Sequence, residues 1–234
     1  MSKNKTVLIT GASRGIGIEL AKQFLELNYR VIVVSRSKPT LLKLTDSKNF
    51  FFVKCNFANI ENIKIISNFL KKQKINNIDI LINNAGLLIN KPLINTNYKE
   101  ALEMFNVNFF AAAFLIKELI PFLGKSKGAS HVINITSMGG FQGSVKYQGL
   151  SFYSASKAAL AIFTECLAEE LKNKNIKCNA LALGAVQTEM LSKAFPNYKA
   201  PIEAQEIATF IKEFSLNSHN FINGKIIPVS LSTP

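Results

Sequence analysis

Cysteine is scarce in this chain. Cys55, Cys166 and Cys178 stand far apart among 234 residues, with no CxxC spacing and no histidine beside them. That excludes a disulfide framework and a thiolate metal site, and it predicts reduced core thiols in a cytoplasmic protein. Histidine is scarcer still. His131 and His219 have no triad partner in view, so neither a metal nor a histidine-centred triad is expected. Long apolar runs are missing as well: the longest block, "FFAAAFLI" (109–116), stops at Lys117 and Glu118, far short of a membrane span. The N-terminus runs from "MSKNK" straight into "TVLIT", with no apolar core of a secretory leader. No linker or repeat interrupts the chain, which predicts one domain over residues 1–234.

Acidic residues are outnumbered 15 to 28 by lysine and arginine, leaving a net charge of +13. Such a balance suits nucleic acid or anionic substrates. However, the lysines are scattered, "LKKQK" (70–74) reads as the wet end of a helix, and the chain is rich in Asn, Ile and Lys together. With no groove-reading motif beside the charge, neither a nucleic acid nor a membrane is expected as a partner.

What the chain does have is alternation. Strand-length apolar runs lie at 6–10, 30–35, 50–55, 79–83, 131–136, 176–182 and 225–230, and helical stretches at 15–28, 59–74, 97–122, 153–173 and 203–215. The runs are nearly continuous in Val and Ile, as strands covered on both faces must be. Together these predict an α/β fold: one doubly wound, seven-stranded parallel sheet with helices on both faces.

Between the first strand and first helix lies "TGASRGIG" (10–17). Gly11 permits a tight turn, Gly15 lets a phosphate reach bare backbone, and Gly17 lets the helix pack close to the sheet. A plain structural turn is the bland alternative, but the strand–glycine–helix context favours dinucleotide binding. The second strand ends at Ser35 and Arg36, where a carboxylate for a ribose 2′-hydroxyl is commonly found. Arg14 and Arg36 suit a 2′-phosphate instead, which predicts NADP(H) over NAD(H). Alternatively, the two arginines only cap solvated loops. In "YSASK" (153–157), Tyr153 and Lys157 share one helix face. An ammonium beside a phenol lowers its pKa and lets it exchange a proton with a substrate oxygen. Such a pair is by itself common on helix surfaces.

These pieces, with "NNAG" (83–86), "NVN" (106–108), "ITS" (135–137) and "NALALGAVQTEM" (179–190), resemble in order and spacing the short-chain dehydrogenase/reductase family over nearly the whole chain. The resemblance implies a single Rossmann-type domain and a reaction between a carbonyl and an alcohol. It implies that Tyr153 is the general acid/base and that Lys157 holds the nicotinamide ribose and lowers the Tyr153 pKa. Ser137 would bind the substrate oxygen, and Asn108 would open the helix backbone around a proton-relay water. Ser13 and Ile16 in the glycine loop, Asn56 and Phe57 after the third strand, and Asn84, Ala85 and Gly86 would contact the cofactor. So would Val186 and Thr188, beside the nicotinamide. A homodimer or homotetramer is implied, the long helix around 108–120 lying between subunits.

Several positions depart from the family pattern. Asn56 replaces a common Asp, Leu183 a usual Pro, and the Ser137–Tyr153 interval is longer than usual. Within that interval Gln142, Lys146 and Tyr147 are candidates for contact with a polar or anionic substrate, and solvated loop residues are the plainer reading. Phe195 and Tyr198 are candidates for the wall of a short lid over 189–202. Two other readings stay open: a 3-oxoacyl-thioester reductase, and a cofactor-sensing scaffold without turnover.

Overall fold

Seven strands assemble in the order β3-β2-β1-β4-β5-β6-β9, all parallel, in a computed structural model that describes residues 5–39, 47–126 and 128–231. The strands are β1 (Thr6–Thr10), β2 (Arg30–Ser35), β3 (Phe50–Lys54), β4 (Ile80–Asn83), β5 (Ser130–Ser137), β6 (Ile176–Leu183) and β9 (Ile226–Val229). Strands β7 (Val186–Gln187) and β8 (Ile202–Glu203) form a separate two-stranded ribbon, too short to leave a period-2 signal in the sequence.

Every residue of β1 is buried because both faces of the sheet are covered. On one face Leu8, Ile32, Leu81 and Val132 pack against helices α2 (Lys64–Lys72), α4 (Ala111–Leu119) and α5 (Ser151–Glu170). On the other, Val7, Ile9, Val33 and Ile133 pack against α1 (Gly15–Glu26) and α7 (Ala204–Asn217). Adjacent residues of one strand thus feed opposite cores, the period-2 geometry of an extended chain. Strand order reverses between β1, which leads outward to β2, and β4, which leads toward β5. A crevice therefore opens at the carboxyl ends of those strands.

The stretch read as one helix over 97–122 is composite. It starts as α3 (Tyr98–Phe105), held by a capping box in which Asn97 accepts the Glu100 N–H at 2.9 Å and Glu100 accepts the Asn97 N–H at 3.0 Å. It widens to a π-helical turn at Asn106–Phe110, where the Ala111 N–H donates to the Asn106 carbonyl five residues back. It then resumes as α4 and tightens into a 3-10 turn at Ile120–Phe122 around Pro121. The expectation that no stretch reaches membrane-span length needs correcting, because Tyr98–Phe122 is 25 residues long, with a mean hydropathy of 1.3 over its most apolar 18-residue window. Its place in the fold explains part of that character: Met104, Leu115, Ile116 and Leu119 are buried in the protein, while Leu102 and Phe114 are exposed.

Candidate active site

Two loops are locked together where the strand order reverses. The hydroxyl of Thr10, at the end of β1, accepts the backbone N–H of Asn84 and of Ala85, each at 3.0 Å. The Asn84 amide in turn donates to the carbonyls of Thr10 at 2.9 Å and Gly11 at 3.2 Å. Gly11 has φ +68°, and a Cβ there would stand 2.7 Å from the Ala85 Cα, so the turn tolerates only glycine. Gly17 lies behind the loop, where a Cβ would stand 2.7 Å from both the Ala12 Cα and the Gly11 carbonyl oxygen. Helix α1 then begins with no side-chain cap and no acid in its first turn. Its first N–H groups and positive dipole end suit an anion.

These loops form one end of a cleft of ≈ 780 Å³ along the carboxyl edge of the sheet. All the catalytic and cofactor-contact residues expected from the sequence line it except Gly17 and Asn108. At the end of β2, Ser35 is buried and its hydroxyl donates to the Ser37 carbonyl at 2.7 Å, while Arg36 and Lys38 line the cleft. Arg14 is engaged elsewhere than the sequence suggests. Its Nη1 donates to Glu189 Oε2 at 2.9 Å, joining the glycine loop to α6 (Glu189–Ala194). Asn56 Oδ1 accepts the Ala58 N–H at 3.2 Å, so one of its lone pairs already serves the loop.

At the other end, β5 delivers Ser137 and the first turn of α5 delivers Tyr153. The Ser137 hydroxyl faces the phenol. One helical turn on, Lys157 is only 4% exposed, and its Nζ donates to the Ile135 carbonyl at 2.9 Å. Burial pulls this ammonium down from 10.5 to about 8. The same burial pushes the Tyr153 phenol above 10, against the smaller downward pull of Ser137. Here the expectation from sequence fails: Lys157 is not among the causes acting on Tyr153, and desolvation decides the direction. Burial makes each group resist ionising, Lys157 more completely enclosed than the half-buried Tyr153, and Lys157 spends a donor on the strand below.

Asn108 sits at the centre of the π-helical turn, 1% exposed, and clamps the chain after β4 from both sides. Its Oδ1 accepts the Leu87 N–H at 2.7 Å, and its Nδ2 donates to the Leu87 carbonyl and to Ser156 Oγ, both at 2.9 Å. The Ser156 hydroxyl donates onward to the Tyr153 carbonyl at 2.7 Å. Asn108 thus fixes the loop that carries Gly86, where a Cβ would stand 3.4 Å from Lys157 Nζ and 3.5 Å from Asn108 Oδ1. Ser156 escaped the sequence reading because a serine inside a helix carries no signal of its long-range partner.

A sequence profile described as short chain dehydrogenase matches residues 5–199. The chain belongs to the short-chain dehydrogenase family. Among curated relatives, "Ketoacyl reductase HetN" from Nostoc sp. (strain PCC 7120) is 34% identical over 191 residues, 80% of this chain and 65% of that protein. This short-chain dehydrogenase spans 62% to 65% of the length of three such relatives, under two thirds of each. A solved structure described as 4-hydroxyisoleucine dehydrogenase complexed with NADH superposes with a TM-score of 0.87 at 26% identity, covering 97% of both chains. Another, described as ElxO with NADP bound, superposes with a TM-score of 0.82 at 28% identity, again over 97% of both.

Candidates in the turn before α5 divide. Tyr147 lines the short-chain dehydrogenase cleft, but Lys146 folds back, its Nζ donating to the carbonyls of Phe141 at 2.8 Å and Ser144 at 2.9 Å. Gln142 lies outside the lining, whereas Phe195 and Tyr198 belong to it, as their place in the lid segment implied. Sequence reasoning missed the apolar wall formed by Leu88, Met138, Leu150, Met190 and Leu191. No periodicity reports it, because these side chains come from three separate segments: the turn after β4, the β5–α5 connection and the short helix α6.

Proposed function

We propose that this protein is an NADP(H)-dependent oxidoreductase that interconverts a carbonyl and an alcohol. The observation that carries this reading is the set of Ser137, Tyr153 and the buried Lys157 together in the cleft whose other end is the glycine loop. The residues fit a dinucleotide: bare backbone at Gly11 and Gly15, an acid-free helix start, and at Gly86 a space next to Lys157 that a side chain would fill. When bound, the nicotinamide supplies the hydride.

In this reading Tyr153 is the proton donor and acceptor at the substrate oxygen, and Ser137 orients that oxygen with a second hydrogen bond. A phenol pushed above 10 stays protonated through neutral pH, which suits donation and hence carbonyl reduction. Lys157 holds the ribose hydroxyls, and Asn108 keeps the Leu87 loop and the Tyr153 turn in register. Val186 and Thr188 border the nicotinamide carboxamide. Tyr153→Phe is expected to abolish NADPH oxidation on a panel of ketones and aldehydes while leaving cofactor binding within about threefold. Normal turnover by that variant would remove Tyr153 from the role.

The preference for NADP(H) rests on Arg36 and Lys38 lining the cleft where no carboxylate follows β2, and on Arg14 changing partner from Glu189 to a 2′-phosphate. NADPH is expected to bind at least tenfold more tightly than NADH in a fluorescence titration. Glu189→Gln, which frees Arg14, should widen that margin. A tighter NADH complex would overturn the preference.

A second reading, reduction of a 3-oxoacyl thioester, is favoured by the relative named ketoacyl reductase. We further infer a cytoplasmic homodimer or homotetramer. Its thiols are free, and exposed Phe114 on α4 and Ile162 on α5 offer an apolar face for pairing. A monomer at micromolar concentration in sedimentation would overturn the assembly.

A further inference from the structure

The chemistry end of the cleft is walled by four apolar side chains and two phenols, with no charged group among them. Met138 follows β5, Tyr147 and Leu150 precede α5, and Leu191, Phe195 and Tyr198 come from the segment beginning with α6. Each charged side chain among the described residues lining the cleft is accounted for away from this wall. Arg36 and Lys38 follow β2. Arg14 and Glu189 are paired with each other, and when Arg14 turns to a 2′-phosphate it is an anion, not a cation, that stays at the start of α6. Lys157 donates to the Ile135 carbonyl. Glu103 lies one turn before Asn106, whose side chain bonds the Ala58 carbonyl on the β3 side. Of the cations nearest in sequence, Lys193 and Lys199 lie outside the lining, and Lys146 has its ammonium taken by Phe141 and Ser144. A carboxylate or phosphate brought against this wall would lose its hydration with no cation in return, only the neutral phenols of Tyr147 and Tyr198.

We propose that the natural substrate is an uncharged carbonyl compound, or the matching alcohol, whose carbon skeleton is apolar and lies among Met138, Leu150, Leu191 and Phe195. This rests on the reading of Ser137 and Tyr153 as the groups that grip the reacting oxygen. It sets aside the polar or anionic substrate that Gln142 and Lys146 suggest in the sequence. Two sources share this chemistry, a free ketone and the acyl chain of a 3-oxoacyl thioester.

The test is a substrate series with NADPH: butan-2-one, hexan-2-one and octan-2-one, the charged 5-oxohexanoate, an aldose, and 3-oxooctanoyl thioester of N-acetylcysteamine. Each methylene that enters the wall is expected to raise kcat/KM about fourfold until the wall is filled. Hexan-2-one should exceed 5-oxohexanoate by about a hundredfold or more. A thioester turned over faster than octan-2-one identifies the acyl source, and the reverse identifies the free ketone; both uphold the apolar skeleton. Leu191→Asn and Phe195→Ser, at half-buried positions, should flatten the chain-length slope without altering NADPH affinity. If no member turns over, the same compounds are titrated into NADP-loaded protein by thermal shift, and the same rank order is expected. A flat series, or preference for the oxo acid or the sugar, overturns this proposal while leaving the oxidoreductase reading intact. Failure of the protein to bind either nicotinamide cofactor would instead sink the reading beneath it.

Discussion

Replacing Lys157 with methionine keeps the length of the side chain and deletes its charge, so it isolates what burying that charge does to the fold. The ammonium is nearly inaccessible and has one recorded acceptor, the Ile135 carbonyl at 2.9 Å. Its folded value of about 8 lies below the 10.5 of an ordinary lysine. Between those values the unfolded chain carries more proton than the folded one, so stability rises with pH across that window. Below about pH 8 the buried amine is charged, and the fold carries the full penalty. That gap corresponds to about 3 kcal/mol at pH 7. Methionine removes the penalty but strands the Ile135 carbonyl, which costs about 1–3 kcal/mol. Lys157→Met should therefore be as stable as the wild type at pH 7, or more stable by up to about 2 kcal/mol, a rise in Tm of at most about 8 °C. The assay is urea unfolding of both proteins at pH 7 and pH 10.5. Across that interval the wild type should gain about 3 kcal/mol on the variant. At NADPH one hundred times its Kd, the wild type should gain a further ~2.7 kcal/mol and the variant far less. If the variant lost more than about 2 kcal/mol at pH 7, or the gap ignored pH, the argument from desolvation would be wrong.

Burial also holds His131 neutral, its value lowered to about 4, with Nδ1 against the Ser215 carbonyl at 3.1 Å and Nε2 against the Asn179 amide at 3.0 Å. Its share of stability is complete above about pH 6.5 and is lost as pH falls toward about 4, worth about 3 kcal/mol in all. An imidazole resonance that titrates near 6.5 in the folded protein would contradict this. Gly86→Ala meets only van der Waals contacts, with Lys157 and Asn108, so the fold should keep its stability or gain about 0.4–1 kcal/mol. Activity should nevertheless fall at least tenfold as the methyl enters the cleft, and a fully active variant would refute the placement. Gly17→Ala, by contrast, drives a Cβ to 2.7 Å from backbone atoms and should cost about 1–3 kcal/mol or more, read as a lowered urea midpoint.

Most of the fold was legible because a parallel sheet covered on both faces imprints itself as near-continuous Val and Ile runs, and the seven runs read from sequence are the seven strands of the main sheet. What the sequence hid was set by distant contacts. "NVNFF" contains no proline or glycine to mark a break, yet it forms the π-helical turn. The turn coincides with a contact outside the segment, the two backbone groups of Leu87 that Asn108 clamps. Likewise the partner of Arg14 is 175 residues away, beyond any local pattern.

The site was legible in its members and illegible in its electrostatics, for one physical reason. Residue spacing tells that Tyr153 and Lys157 share a helix face, and in water an ammonium there would draw the phenol down. The pocket that makes them neighbours also strips water from both, from Lys157 more completely, and desolvation outweighs the rest for each. Lys157 near 8 is only partly charged in mildly alkaline solution, just where a phenolate would be needed to take a proton from an alcohol. Reduction should therefore hold its rate through neutral pH and fall on the alkaline side, whereas oxidation should climb with pH. Initial rates in both directions between pH 6 and pH 10 measure this directly. Parallel profiles would mean that the proton is carried by some group other than Tyr153.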